Sequence, residues 1–343
     1  MKKFFFLETL IEKVWYSKNI YSLLLSPLSL IYISIIYLRY TLYQLGLISI
    51  TKINVPTIVI GNIVAGGTGK TPLVIWLAKY FKDKGFLPGI VSRGYGGTYL
   101  SNIELVKPTS NPLLVGDEPV IIARNTNCPV VVAKKRAKGA KKLVEKYNCN
   151  IVLCDDGMQH YSLARDIEIA VIDGQRRFGN NYCFPAGPLR EPKSRIFKAD
   201  LIVSKYNART REHKMDYTYN LLVSLNELCG PPKTMNESKT IPISDLHGMT
   251  VHAVAGINNP DHFFSYLRSH KLELIIHKFP DHYMYREDDV KFDDNFPVVM
   301  TEKDAVKCLN YSSDKHWYIP ISAELSKSFV CDLDKLMEKI ING

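Results

Sequence analysis

A glycine-rich loop, Gly61-Asn62-Ile63-Val64-Ala65-Gly66-Gly67-Thr68-Gly69-Lys70-Thr71, follows the strand-like run Val55 to Ile60 and opens a helix-like segment. Strand, glycine loop and helix in that order constrain the fold more than any other feature. Glycines let the backbone wrap a polyphosphate with its N–H groups turned inward, and the following helix presents its positive dipole end to the same anion. Lys70 is then expected at the β/γ-phosphates and the Thr71 hydroxyl at Mg2+, with Gly66, Gly67, Thr68 and Gly69 forming the cradle. The pattern G-x-x-x-x-G-K-[ST] asks for glycine at position 64, where this chain has Val64. A purely structural glycine turn is the plain alternative, and the flanking strand and helix favour phosphate.

With 343 residues, 46% of them hydrophobic, the chain has room for two domains with well-formed cores. Seven cysteines without a CxxC or a Cys/His cluster argue against a disulfide framework or structural zinc, and fit a reducing cytoplasm. The formal charge of +10 points to an anionic partner: nucleic acid, a phosphorylated substrate or an acidic membrane surface. The N-terminus tilts that choice. Asn19 to Leu38 is a stretch of twenty residues without a formal charge, bounded by Lys13 and Lys18 before it and Arg39 after it. That length can cross a bilayer. Pro27, the serines Ser22, Ser26, Ser29 and Ser34, and the tyrosines Tyr21, Tyr32 and Tyr37 equally suit a helix lying among headgroups or hooked into one leaflet. A buried core helix is the third reading. No clear small-x-small cleavage site follows, which argues against a secretory signal, and a nucleotide site needs cytosolic ATP, so the catalytic part is expected to face the cytoplasm.

Further on, apolar runs alternate with helical patterns: Thr57–Gly61, Leu73–Asp83, Gly89–Ser92, Val130–Ala133, a basic helix to about Tyr147, then Ile151–Cys154 and Ile167–Asp173. This alternation predicts an α/β fold, a P-loop NTPase-like parallel sheet flanked by helices, with ligands gathered beyond the carboxyl ends of the strands. The Lys70 loop, the Ser92-Arg93 corner and Asp155-Asp156 all fall there. A polar stretch from about Asn207 to Ser244, containing Gly230-Pro231-Pro232, reads as irregular and as a domain junction. Thr250–Ala255, a helix near Asp261–Ser269, Glu273–His277, Val298–Met300 and Trp317–Ile319 then suggest a second, smaller α/β domain. The expected division is a membrane-associated segment at 1–50, a phosphate-loop core at 51–215 and a smaller C-terminal α/β domain at 216–343.

Ile151 to Cys154 is an apolar strand ending in Asp155 and Asp156, where a phosphate-loop enzyme places the carboxylate that holds Mg2+. Either Asp suits that role. Asp117, in Gly116-Asp117-Glu118-Pro119, caps a turn or projects into a cleft. Phe279-Pro280-Asp281-His282-Tyr283 sets a histidine beside a carboxylate, a pair suited to deprotonating a hydroxyl. Spacing alone does not join Asp117 to His282. Ser92-Arg93-Gly94-Tyr95-Gly96-Gly97 and the Pro185 to Glu191 run each hold an arginine, Arg93 and Arg190, in a loop suited to phosphate oxygens or simply solvated. The basic run from Lys134 through Arg136 to Lys142 is a solvated face or a contact for anionic headgroups. Thr301-Glu302-Lys303-Asp304-Ala305-Val306-Lys307 starts a helix with Thr301 as cap and lysines that could face phosphate.

Taken with the apolar N-terminal helix, the motifs G-N-I-V-A-G-G-T-G-K-T, S-R-G-Y-G-G, G-D-E-P, D-D-G-M-Q-H, P-A-G-P-L-R-E, F-P-D-H-Y and T-E-K-D-A-V-K closely resemble the tetraacyldisaccharide 4′-kinase family of lipid A biosynthesis. That family's loop tolerates a residue other than glycine at position 64, and Met158 stands where it commonly has an aromatic. The resemblance implies transfer of the ATP γ-phosphate to the 4′-hydroxyl of tetraacyldisaccharide 1-phosphate at the cytoplasmic face of the bacterial inner membrane. ATP and Mg2+ are the implied cofactors. The implied partners are the lipid substrate and an anionic membrane surface; nucleic acid is not one, and a monomer is expected. It implies Lys70, Asp117 and His282 as catalytic residues, the last two forming a dyad across two domains. Thr71 with Asp155 or Asp156 would hold metal, and Arg93, Tyr95, Arg136 and Arg190 would contact substrate or transition state. A nucleotide-regulated switch and a soluble small-molecule kinase are the competing readings. Against a guanine switch, Thr301-Glu302-Lys303-Asp304 carries Glu where N-K-x-D needs Asn.

Overall fold

The computed structural model describes residues 11–17, 19–98, 101–219, 221–230 and 237–342. Lys18 and Pro231-Pro232 lie outside the described residues. The chain divides into two compact units, each built from separated stretches. The first holds Met1–Ser92, Lys135–Asp216 and Glu324–Gly343; the second holds Arg93–Lys134 and Tyr217–Ala323. The division thus differs from the expected 51–215 and 216–343, because Arg93–Lys134 groups with the second unit and Glu324–Gly343 with the first. Side-chain bonding ties Arg93–Lys134 to 217–323: Asn125 Nδ2 donates to Glu302 Oε1 at 2.7 Å, Arg124 donates to the Glu227 carbonyl at 3.2 Å, and Lys303 pairs with Glu118 at 3.4 Å. In the first unit the Tyr80 hydroxyl donates to Asp334 Oδ1 at 2.5 Å.

In the first unit, the strands run in the order His213–Thr218, Leu201–Lys205, Ile167–Asp173, Thr57–Gly61, Ile151–Cys154, Pro88–Ser92, and every pairing is parallel. Continuous apolar sequence is what such a sheet needs, since its strands are covered on both faces. Each residue of Thr57–Gly61, Ile151–Cys154 and Ile167–Asp173 is buried. The helix Lys70–Asp83 contributes Leu73, Val74, Leu77, Ala78 and Phe81 to that core, and Arg136–Tyr147 contributes Ala137, Ala140 and Leu143. The stretch expected to be irregular instead carries the short strands His213–Thr218, Leu221–Ser224 and Thr240–Pro242. His213–Thr218 and Thr240–Pro242 are mostly half-exposed and lack an apolar run to read, whereas Leu221–Ser224 is apolar and largely buried but only four residues long.

The N-terminal helix Ile20–Gln44 reverses the usual arrangement. Its most apolar window has a mean hydropathy of 1.8 yet is only 11% buried, so the core-helix reading fails. Leu23, Leu24, Leu30, Ile31, Ile35 and Leu38 are exposed, whereas Ser22 and Ser29 are buried. Ser29 Oγ donates to the Cys183 carbonyl at 2.7 Å and accepts the Ala186 N–H at 3.1 Å; the Tyr32 hydroxyl donates to the Arg190 carbonyl at 3.1 Å. Polar side chains therefore dock this helix while its apolar face points outward. Pro27 lacks the N–H that would bond Leu23, and the Ser26 hydroxyl donates to that same carbonyl at 2.7 Å. The helix continues through the proline.

The second unit has a six-stranded sheet ordered Thr240–Pro242, Leu221–Ser224, His316–Ile319, Val298–Thr301, Thr250–Ala255, Glu273–Lys278. The last four strands are parallel and the first two pair antiparallel. Leu222, Val251, Phe264, Leu267, Val299 and Trp317 fill its core. The unit also holds the antiparallel pair Ile103–Val106 and Val130–Ala133 with the helix Asp117–Thr126 between them in sequence.

Candidate active site

Two groups of chemically able side chains stand out, one in each unit. In the first, the glycine loop leaves Thr57–Gly61 and enters the helix Lys70–Asp83 through Gly69, whose φ of 95° no β-carbon residue adopts without strain. No side chain caps this helix, so its first N–H groups are left for an anion. Asn62 fixes the loop, donating to the Val64 carbonyl at 2.7 Å and to Thr68 Oγ1 at 2.9 Å. Val64 is buried and forms an antiparallel bridge with Leu189. Extended backbone suits valine there, which accounts for the missing glycine. Met158 is also buried, and it packs so tightly on Gly61 that a β-carbon would lie 2.7 Å from its Cγ.

Lys70 Nζ lies 3.4 Å from Asp156 Oδ1, and Arg190 Nη1 lies 3.1 Å from Asp156 Oδ2. Burial would raise the Asp156 pKa, but the two cations override it and hold the carboxyl well below the usual range. Asp155 is buried at the end of Ile151–Cys154 and accepts the Ser92 hydroxyl proton at 2.8 Å from the end of the neighbouring strand. Thr71, Asp155 and Asp156 are a set of hard oxygen donors, the chemistry Mg2+ requires.

The second unit joins Asp117 to His282, with His282 Nδ1 at 3.0 Å from Asp117 Oδ2. Both belong to that one unit, so the dyad expected across two domains is corrected. Asp117 opens the helix Asp117–Thr126 and its Oδ1 accepts the Glu118 N–H at 2.8 Å. Burial pushes its pKa up, but Lys303 and His282 outweigh that and bring it down to about 2. Burial lowers the His282 pKa, the bond to Asp117 raises it, and the balance is upward. Tyr95 is exposed and its ring lies 5.0 Å from the imidazole. Asp117 and His282 share a cleft with Tyr95, Gly96, Met284 and Lys307.

The glycines of two motifs hold this cluster. Gly116 has a φ of 90°, and a β-carbon there would lie 2.8 Å from the Tyr95 carbonyl oxygen. One at Gly97 would lie 2.5 Å from the Leu114 carbonyl oxygen. Backbone meets backbone at both places, so nothing can yield cheaply. Gly116→Ala is expected to cost about 1–3 kcal/mol and to lower Tm, because strain and clash coincide beside Asp117. Thermal melts of the variant with an unchanged Tm would contradict this.

Of the remaining expected residues, Arg93 is exposed in the second unit and Arg190 belongs with Asp156 in the first. Arg136 is fully buried at the start of its helix, so it does not form an open substrate face. Cys154, pushed up to about 11 by burial, feels the opposing charge of Arg136. The sequence reading gave no role to Asn62, Ser92 and Glu118, and it offered the lysines of Thr301–Lys307 to phosphate, whereas Lys303 lies beside Asp281 and His282. Thr301 does cap its helix, accepting the Asp304 N–H, and that turn delivers Lys303 to His282.

A parallel sheet with a glycine cradle, an invading lysine and paired carboxylates defines a phosphate-loop phosphotransferase. Residues 21–338 match the family model for tetraacyldisaccharide-1-P 4′-kinase. The chain is 43% identical over 332 residues to the tetraacyldisaccharide 4′-kinase of Nitrosococcus oceani, covering 97% of this chain and 95% of that one. It is 42% identical over 335 residues to that of Hahella chejuensis, covering 96% and 97%. Among solved structures, apo-form LpxK from Aquifex aeolicus in complex with ATP superposes with a TM-score of 0.76 at 28% identity, covering 93% of this chain and 99% of that one. The chain belongs to the tetraacyldisaccharide 4′-kinase family.

Proposed function

We propose that this protein transfers the γ-phosphoryl group of ATP to the 4′-hydroxyl of tetraacyldisaccharide 1-phosphate in lipid A biosynthesis. The observation that carries the reading is the family match over 21–338 in a chain that retains both the Lys70 cradle and the Asp117–His282 pair. The loop N–H groups and Lys70 would bind the β/γ-phosphates, Lys70 and Arg190 exchanging Asp156 for phosphate oxygens. Thr71 and Asp155, the latter oriented by Ser92, would hold Mg2+, with Asp156 as the second carboxylate. Bound there, Mg2+ would offset charge on the transferring phosphoryl group. Asp117 would accept the sugar hydroxyl proton, and Arg93 and Tyr95 would contact the lipid headgroup.

The outward apolar face of Ile20–Gln44 and the charge of +10 support attachment to an anionic bilayer, on the cytoplasmic side where ATP is found. Purified, detergent-solubilised protein given γ-labelled ATP, Mg2+ and tetraacyldisaccharide 1-phosphate should place label in the lipid. Hydrolysis of ATP without labelled lipid would sink the reading and favour a nucleotide switch.

A further inference from the structure

Lys303 is a charged group of the second unit that lies against the Asp117–His282 pair and has no task in the chemistry proposed above. Its ammonium has three N–H donors and three acceptors around it: Asp281 Oδ1 at 3.0 Å, Glu118 Oε1 at 3.4 Å and His282 Nε2 at 3.4 Å. The other acid near the imidazole, Asp281, lies 3.8 Å from Nε2, beyond hydrogen-bond reach. An ammonium cannot accept a proton, so Nε2 has to offer its lone pair. That leaves the imidazole proton on Nδ1, facing Asp117 Oδ2 at 3.0 Å.

We infer that Lys303 is a positioning residue for the phosphoryl-transfer base, holding His282 in the neutral tautomer that carries its proton on Nδ1 and donates it to Asp117. This rests on the kinase reading above. Protonation of Nε2 would set an imidazolium N–H against the Lys303 ammonium, with Asp281, Glu118 and Asp117 as the acids facing the pair and Lys307 as the other nearby cation. An imidazolium would also draw more charge from Asp117 and leave it a poorer proton acceptor. Lys303 therefore opposes the charged form that Asp117 alone would favour. Glu118 and Asp281 in turn keep the ammonium in place.

The test compares Lys303→Met and Lys303→Arg with the wild type, all as full-length protein in detergent. In 15N-histidine-labelled wild type at about pH 8.5, the His282 resonances should report the Nδ1–H tautomer, with a His282→Gln sample assigning them. Lys303→Met should lower kcat at pH 7 by roughly tenfold or more and move the acid limb of the pH–rate profile about one pH unit higher. Turnover should recover as pH rises. Lys303→Arg, which keeps the charge and with it the ion pairs to Glu118 and Asp281, should keep the acid limb near the wild-type position. An Nε2–H tautomer in the wild type, or an acid limb that stays put in folded Lys303→Met, would overturn the inference. Absence of lipid labelling in the wild type would instead indict the kinase reading.

Discussion

Lys70→Ala is expected to lower kcat by about a thousandfold, or roughly 4 kcal/mol of transition-state stabilisation. Phosphoryl transfer passes through a loose transition state whose cost is mainly charge on the phosphoryl oxygens, so the fixed cation outweighs any single proton acceptor. The lysine side chain is only 11% exposed, and its charge acts through a medium that screens it less than water does. Its removal also leaves Asp156 facing the loop with Arg190 as the remaining partner of that ion-paired trio. Single-turnover labelling of the lipid reads the effect directly, and a near-normal rate would remove Lys70 from the chemistry.

Asp117→Asn should cost about a hundredfold to a thousandfold in kcat while leaving KM for ATP within about twofold. A carboxyl that Lys303 and His282 hold below the usual carboxylate range, against the effect of burial, is a weak base for a sugar hydroxyl. It suits a reaction in which the proton leaves late, and it explains why this loss should be smaller than that at Lys70. Asparagine preserves shape and removes charge. It also takes away the main influence raising the His282 pKa, so residual activity should extend to lower pH. A matching rise in KM for ATP would show instead that Asp117 serves nucleotide binding.

The strands around the loop were legible because a doubly covered parallel sheet demands unbroken apolar runs: Ile151–Cys154 and Ile167–Asp173 fall where the residue pattern places them. Pairing was not legible. Asp117 and His282 are brought together because Arg93–Lys134 and Tyr217–Ala323 form one unit, and a local pattern carries no trace of that. Lys303 illustrates a different gap. Its motif was visible as a capped turn, yet the direction of a side chain leaving a four-residue helix depends on the strand before it. Arg136 marks the opposite error: a basic run suggests a solvated face, but its first arginine is wholly enclosed.

The segment from Cys183 to Arg190 touches two things at once. Toward the N-terminal helix it offers the Cys183 and Arg190 carbonyls and the Ala186 N–H, and the Pro185 carbonyl accepts the Trp15 indole proton at 3.1 Å. Toward the loop, Arg190 N–H bonds the Ile63 carbonyl at 2.7 Å and the Pro188 carbonyl accepts from Ala65 N–H at 2.8 Å. Cutting away the first 45 residues to gain a water-soluble enzyme would therefore strip bonding partners from the very strip that braces the phosphate cradle. A truncated chain with weak ATP affinity would then report a damaged brace as much as a lost foothold on lipid.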